Sequence, residues 1–100
     1  MPVLGPFASP PEKTMKGLFN KVKNRQTHQR FVVSTICKEE GLFETAVFAA
    51  TFLYIPKSLS KPALRVETRT KDEAWEMHYR LTARLTLEYP ARLFQEFQED

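Results

Sequence analysis

From residue 31 onwards the apolar period of this chain changes once, at Thr70, and that change constrains its fold more than any other feature. Before Thr70, β-branched and aromatic residues come in short runs. After it, a stretch without Gly or Pro repeats its apolar residues at helical spacing to about Glu88. Residues 31–37 (Phe-Val-Val-Ser-Thr-Ile-Cys) read as a strand, and residues 38–41, ending in Gly41, as a hairpin turn. A second strand begins at Leu42 and runs towards Tyr54. It carries Phe43, Val47 and Leu53 on one face and Leu42, Phe48 and Phe52 on the other. It is either covered on both sides or broken by a bulge near Ala49-Ala50, and Pro56 ends it. Residues 57–62 form a surface loop. Residues 63–68 then alternate Leu64 and Val66 with Arg65 and Glu67, the pattern of a half-exposed strand. Strands followed by a helix, with short connections, predict an α+β fold: a three-stranded antiparallel sheet packed against a long C-terminal helix.

That helix has a defined start. Thr70-Lys71-Asp72-Glu73 is a capping box with acidic residues in the first turn, where the helix dipole favours them. Ala74, Met77, His78, Leu81 and Leu85 form its apolar stripe, with Asp72, Glu76, Arg80 and Arg84 opposite. Glu76 and Arg80 stand in the favoured order for an i,i+4 pair. Pro90 interrupts the helix, and residues 91–97 offer one or two further turns that gather Leu93, Phe94 and Phe97.

The N-terminal third reads differently. Residues 1–8 are punctuated by Pro and Gly and have no period, so they are expected to form an arm ahead of a single domain from 9 to 100. Ser9-Pro10-Pro11-Glu12 supplies a helix start. Met15, Leu18, Phe19 and Val22 follow at helical spacing, with Lys16, Lys21 and Lys23 beyond the stripe. This predicts a basic N-terminal helix, weakened by Gly17 by roughly 1 kcal/mol and ended by the polar residues 24–29. Residues 1–30 hold six basic residues against Glu12, a balance of +5. The other seventy hold nine basic and eleven acidic residues, a balance of −2. The basic charge is therefore local.

Composition narrows the chemistry. The single Cys37 rules out an internal disulfide framework and the usual cysteine-based zinc sites. No apolar run approaches the roughly 20 residues that span a bilayer, and Met1 to Pro6 lacks the pattern of a secretory signal. These features fit the cytoplasm. With two histidines and no HExxH, Gly-rich phosphate loop or G-x-S-x-G, nothing points to catalysis, a metal or a cofactor. His78 lies on the apolar stripe and reads as a structural histidine. Cys37, at a strand end with no helix N-terminus or confirmed histidine at hand, reads as idle. Glu44 is placed for a cross-strand ion pair with Arg65 or Arg69, and a ligand anchor is the alternative role.

Four stretches occur in fixed order. They are Val33-Ser34-Thr35, then Leu42-Phe43-Glu44-Thr45-Ala46-Val47-Phe48, then Arg65 to Thr70, then Lys71-Asp72-Glu73-Ala74 with His78 four residues on. Between residues 31 and 81 the chain resembles a group of small bacteriophage and prophage proteins whose wording is VST, LFET-hydrophobic-F, and R-x-x-T-x-x-E-A followed by His. The resemblance implies a viral origin and a fold, and brings no activity. The chain departs from the group in a shorter, charged turn after Thr35 and in Met77, where Gly is usual.

These readings predict a non-enzymatic phage or prophage accessory protein that binds a protein partner, a host factor or a second copy. Trp75 and Tyr79, one helical turn apart, and Leu93, Phe94 and Phe97 are the candidate contact residues, because exposed aromatics dominate binding hot spots. The alternatives are nonspecific nucleic-acid binding through Lys13, Lys16, Lys21, Lys23 and Arg25, and a minor virion component.

Overall fold

The computed structural model describes residues 17–98. It is α+β, with four strands rather than three, in the order β1 (Leu18–Lys23), β2 (Arg30–Glu39), β3 (Leu42–Ala50), β4 (Leu64–Thr68), α1 (Lys71–Leu87) and α2 (Pro90–Gln98). The strands form one antiparallel meander in chain order. The predicted arm and helix start lie outside the described residues.

The added strand corrects the basic N-terminal helix. Residues 18–23 extend and pair with β2, Leu18 against Thr35 and Val22 against Phe31. Burial alternates along them, with Val22 buried and Phe19, Lys21 and Lys23 exposed. Leu18 and Val22 are four apart, and that spacing puts two residues on one side of a helix and equally on one face of a strand. Phe19 separates the two readings: the helical stripe would bury it, yet here it faces solvent. Gly17 introduces the strand at φ +64, where a Cβ would stand 2.7 Å from the Thr35 carbonyl oxygen. Glycine here permits a close approach, and weakens no helix.

Two hairpins and a longer excursion connect the strands. Gly41, at φ +77, closes the β2–β3 turn, and an irregularity at Cys37–Glu39 takes up one extra residue. β3 stops at Ala50, short of Tyr54. Thr51 accepts from the Leu53 and Ile55 amides through Oγ1, and Tyr54 turns at φ +63. The chain doubles back so that Pro56 bridges Ala50. Phe52 and Leu53 therefore leave the sheet faces on which alternation placed them, and both are exposed.

α1 lies across all four strands. Its cap is the predicted one: Thr70 Oγ1 accepts from the Glu73 amide at 3.1 Å, and Glu73 reaches back to the Arg69 amide at 3.0 Å. Ala74, His78, Leu81 and Leu85 are buried, and Met77 packs at the margin. Val22, Phe31, Val33, Val47 and Leu64 from the sheet meet Leu81, Leu85 and Leu93 in one core. Phe94 adds an edge-to-face contact with Phe31, centroids 5.7 Å apart. Arg84, expected on the solvent side, ties the two helices by pairing with both Glu88 and Glu96. The hydrogen bonds Arg84 donates, to Glu96 first and then to Glu88, raise its pKa further and hold the Glu96 carboxyl below its ordinary value. No described helix is long and apolar enough to cross a membrane.

Candidate functional surfaces

His78 projects from α1 onto the sheet and is fully buried. Its Nε2 lies 2.8 Å from Asn20 Oδ1 on β1, and its Nδ1 lies 2.8 Å from Thr35 Oγ1 on β2. Thr35 Oγ1 in turn lies 2.7 Å from Thr45 Oγ1 on β3. The polarity follows from the Asn20 oxygen, which only accepts. Nε2 must donate, the neutral ring leaves Nδ1 to accept from the Thr35 hydroxyl, and Thr45 donates to Thr35. Burial lowers the His78 pKa, because the charged ring would lose its hydration. Both nitrogens are thus engaged in joining three strands to the helix, as the structural reading expects. Asn20 and the threonine pair escape sequence inspection, since only the β1–β2–β3 register brings them beneath His78.

A second polar centre sits at the C-terminal end of α1. Asn24, first in the β1–β2 loop, is fully buried, and its Nδ2 donates at 2.6 Å to the carbonyls of both Leu85 and Glu88. The Arg25 amide donates to the Thr86 carbonyl at 2.9 Å, and Gln26 Nε2 donates to that of Leu87 at 2.6 Å. The last carbonyls of the helix, which no helical amide reaches, are therefore satisfied by a loop some sixty residues away in the chain. Asn24 Oδ1 meanwhile holds the loop by accepting from the Gln26 and Thr27 amides.

Glu44 pairs with Arg65 at 2.9 Å, and Lys38 lies 3.9 Å from Glu44 and 3.7 Å from Glu67. This is the cross-strand ion pair expected of Glu44, and the cluster spans β2, β3 and β4. Cys37 is exposed, with Sγ towards the Glu39 carbonyl. Among the described residues, no three His, Cys, Asp or Glu side chains are grouped to hold a metal.

The five candidate contact residues separate into two groups. Trp75 and Tyr79 stay exposed on α1, with ring centroids 5.3 Å apart. Leu93 is buried in the core, and Phe94 and Phe97 pack against it, so the apolar face of α2 closes the fold. Of the basic candidates, Lys21 and Lys23 point from the outer sheet face and Arg25 lies in the β1–β2 loop, while Lys13 and Lys16 lie outside the described residues. Lys21 and Arg30 both approach the Tyr54 ring, at 5.8 and 5.6 Å from its centroid.

A further group of exposed apolar side chains lies in the β3–β4 connection. Phe52, Leu53, Ile55 and Leu59 are each between 56 and 74% exposed. An open groove of about 590 Å³ also runs between the end of α1 and α2, past Leu87, Tyr89 and Arg92. No family model matches the chain, and neither a characterised protein nor a solved structure gives a significant match to it.

Proposed function

We propose that this is a non-enzymatic accessory protein of phage or prophage type that works in the cytoplasm of its host by binding a protein partner. The observation that carries this reading is the β3–β4 connection. Four large apolar side chains crowd one short segment and face solvent, although the core lies within reach of the same chain. Large apolar side chains exposed together in one short segment mark a contact site, since leaving them in water has no compensating gain in a free monomer. Lys57 stands within this segment and Lys61 just after it, which suits a partner that sets acidic groups beside an apolar centre. The resemblance to phage proteins supports the origin.

Affinity capture from bacterial lysate tests this. A partner should be retained after nuclease treatment and at raised salt. It should be lost when Phe52, Leu53 and Leu59 are changed together to Ser. Retention by that triple variant would overturn the reading. One observation favours nucleic acid as a second reading: Lys21, Lys23 and Arg30 share the outer face around Tyr54, and none has a carboxylate within 4 Å among the described residues. Affinity for a generic duplex should then fall steeply with salt, as neutralised phosphates release counterions.

A further inference from the structure

We infer that the open edge of β1, beneath the Trp75–Tyr79 pair, is a docking site for an extended peptide. The peptide adds as a strand and alternates apolar with acidic residues. This surface adjoins the β3–β4 connection only where Lys21 approaches Tyr54, uses none of Phe52, Leu53 or Leu59, and shares with the reading above the premise of a protein partner.

The edge comes first. Among the described residues β1 pairs on one side only, with β2. An edge strand presents alternate amide and carbonyl groups without partners, and those groups accept an added strand.

The helix supplies a wall above that edge. Met77, Glu73 and Arg80, on one flank of α1, line a cleft with Thr68 of β4. The other side faces β1: His78 Nε2 binds Asn20, and the Thr86 carbonyl binds the Arg25 amide just beyond the strand. By helical spacing Trp75 and Tyr79 lie on that same flank of α1, further round the helix than His78. The Tyr79 ring rests on the His78 ring, centroids 4.8 Å apart, and that buried ring fixes it. Trp75 and Tyr79 remain 47 and 43% exposed, aromatic surface that the described residues leave partly uncovered.

Charge selects the peptide. On β1, Leu18, Asn20 and Val22 face α1, while Phe19, Lys21 and Lys23 face outwards. Residues of an added strand alternate in the same way. Those on the helix side would sit under the aromatic pair and should be apolar. Those on the outer side would stand across from Lys21 and Lys23 and should be acidic. One alternation meets both demands. A second copy fits poorly, because β1 against β1 gathers the Lys21 and Lys23 side chains of both strands on one face.

The test uses a peptide of about eight residues alternating valine and glutamate, with a control of the same composition whose valines and glutamates are grouped. The alternating peptide should saturably shift Trp75 fluorescence and slow amide exchange across Leu18–Lys23, and the control should not. The double change Lys21→Glu with Lys23→Glu should weaken this binding by at least about tenfold. The same variant should then bind an alternating valine–lysine peptide, a rescue by charge exchange that loss of folding cannot imitate. Trp75→Ala with Tyr79→Ala should abolish the slowed exchange across Leu18–Lys23 in a protein still folded by circular dichroism, and the triple Ser change in the β3–β4 connection should leave it intact. Equal binding of alternating and grouped peptides, or indifference to the charge reversal, overturns the inference. So does concentration-dependent self-association through β1, or full protection of the β1 edge amides in the free monomer, since another occupant would then hold the site. Failure of the unaltered protein to capture any partner from lysate, or capture retained by the triple Ser variant, with peptide binding intact, would overturn only the preceding proposal.

Discussion

Replacing Asn24 tests how the β1–β2 loop and α1 hold each other. Its Nδ2 donates to the Leu85 carbonyl inside the protein and to the Glu88 carbonyl at the margin, both at 2.6 Å. In Asn24→Ala the buried Leu85 carbonyl loses its partner, at about 1–3 kcal/mol, while the Glu88 carbonyl can turn to water. Losing the Oδ1 bonds to the Gln26 and Thr27 amides adds about 1 kcal/mol, as expected for a turn bond with exposed alternatives. The sum is about 2–4 kcal/mol, a large part of the roughly 5–15 kcal/mol that stabilises a domain of this size. Asn24→Asp separates donor loss from volume. The carboxylate keeps the acceptor and sets a negative charge against the negative end of the helix dipole, so it should be worse than Ala at pH 7. Its charged form is the disfavoured one, so its folded pKa rises above the unfolded value of about 3.9. The deficit of Asp relative to Ala therefore shrinks as pH falls towards that value. Urea unfolding followed by circular dichroism measures both variants at a constant m-value. A loss under about 0.5 kcal/mol for Ala, set against the sum above, or an Asp variant no less stable than Ala at pH 7, would refute the capping account.

Three further outcomes are expected. Gly17→Ala should cost about 1–3 kcal/mol in urea unfolding, because it places a Cβ in a left-handed conformation against backbone; a neutral result would mean Gly17 is not held at φ +64. His78 is held neutral by burial, so its folded pKa lies below the unfolded one; its contribution is complete above about pH 6.5 and is lost as pH falls below that value. The urea midpoint should fall between pH 7.5 and 5, with a shallower slope in His78→Gln, and equal slopes would assign the effect to other groups. Phe94→Ser with Phe97→Ser should lower the melting midpoint by many degrees in a protein of unchanged oligomeric state, since both rings pack on the core; loss of association at constant stability would return α2 to the role of an interface.

The candidate surfaces were only partly legible. Trp75 and Tyr79 were readable as a flanking pair because helical spacing alone places them beside, and outside, the stripe of Ala74, His78 and Leu81. Leu93, Phe94 and Phe97 were readable as one apolar face, but whether such a face meets the core or a partner depends on the space left beside Phe31. Phe52 and Leu53 misled, because alternation cannot register the tight turn at Thr51 that removes them from the strand.

By itself the sequence determined everything that local chemistry can encode. It specified the start of α1, through a cap closed within four residues, and the face that α1 buries. It also specified the three strands whose β-branched runs have no helical alternative. Tertiary structure alone decided the rest. Leu18 and Val22 satisfy both periods, so pairing with Thr35 and Phe31 made β1 a strand. Asn24 is an ordinary polar loop residue until the end of α1 arrives beside it, and His78 finds Asn20, Thr35 and Thr45 only once three strands are in register. In each case the deciding partner is distant in the chain, and a polar group's need for a hydrogen bond does not say where that bond will be found.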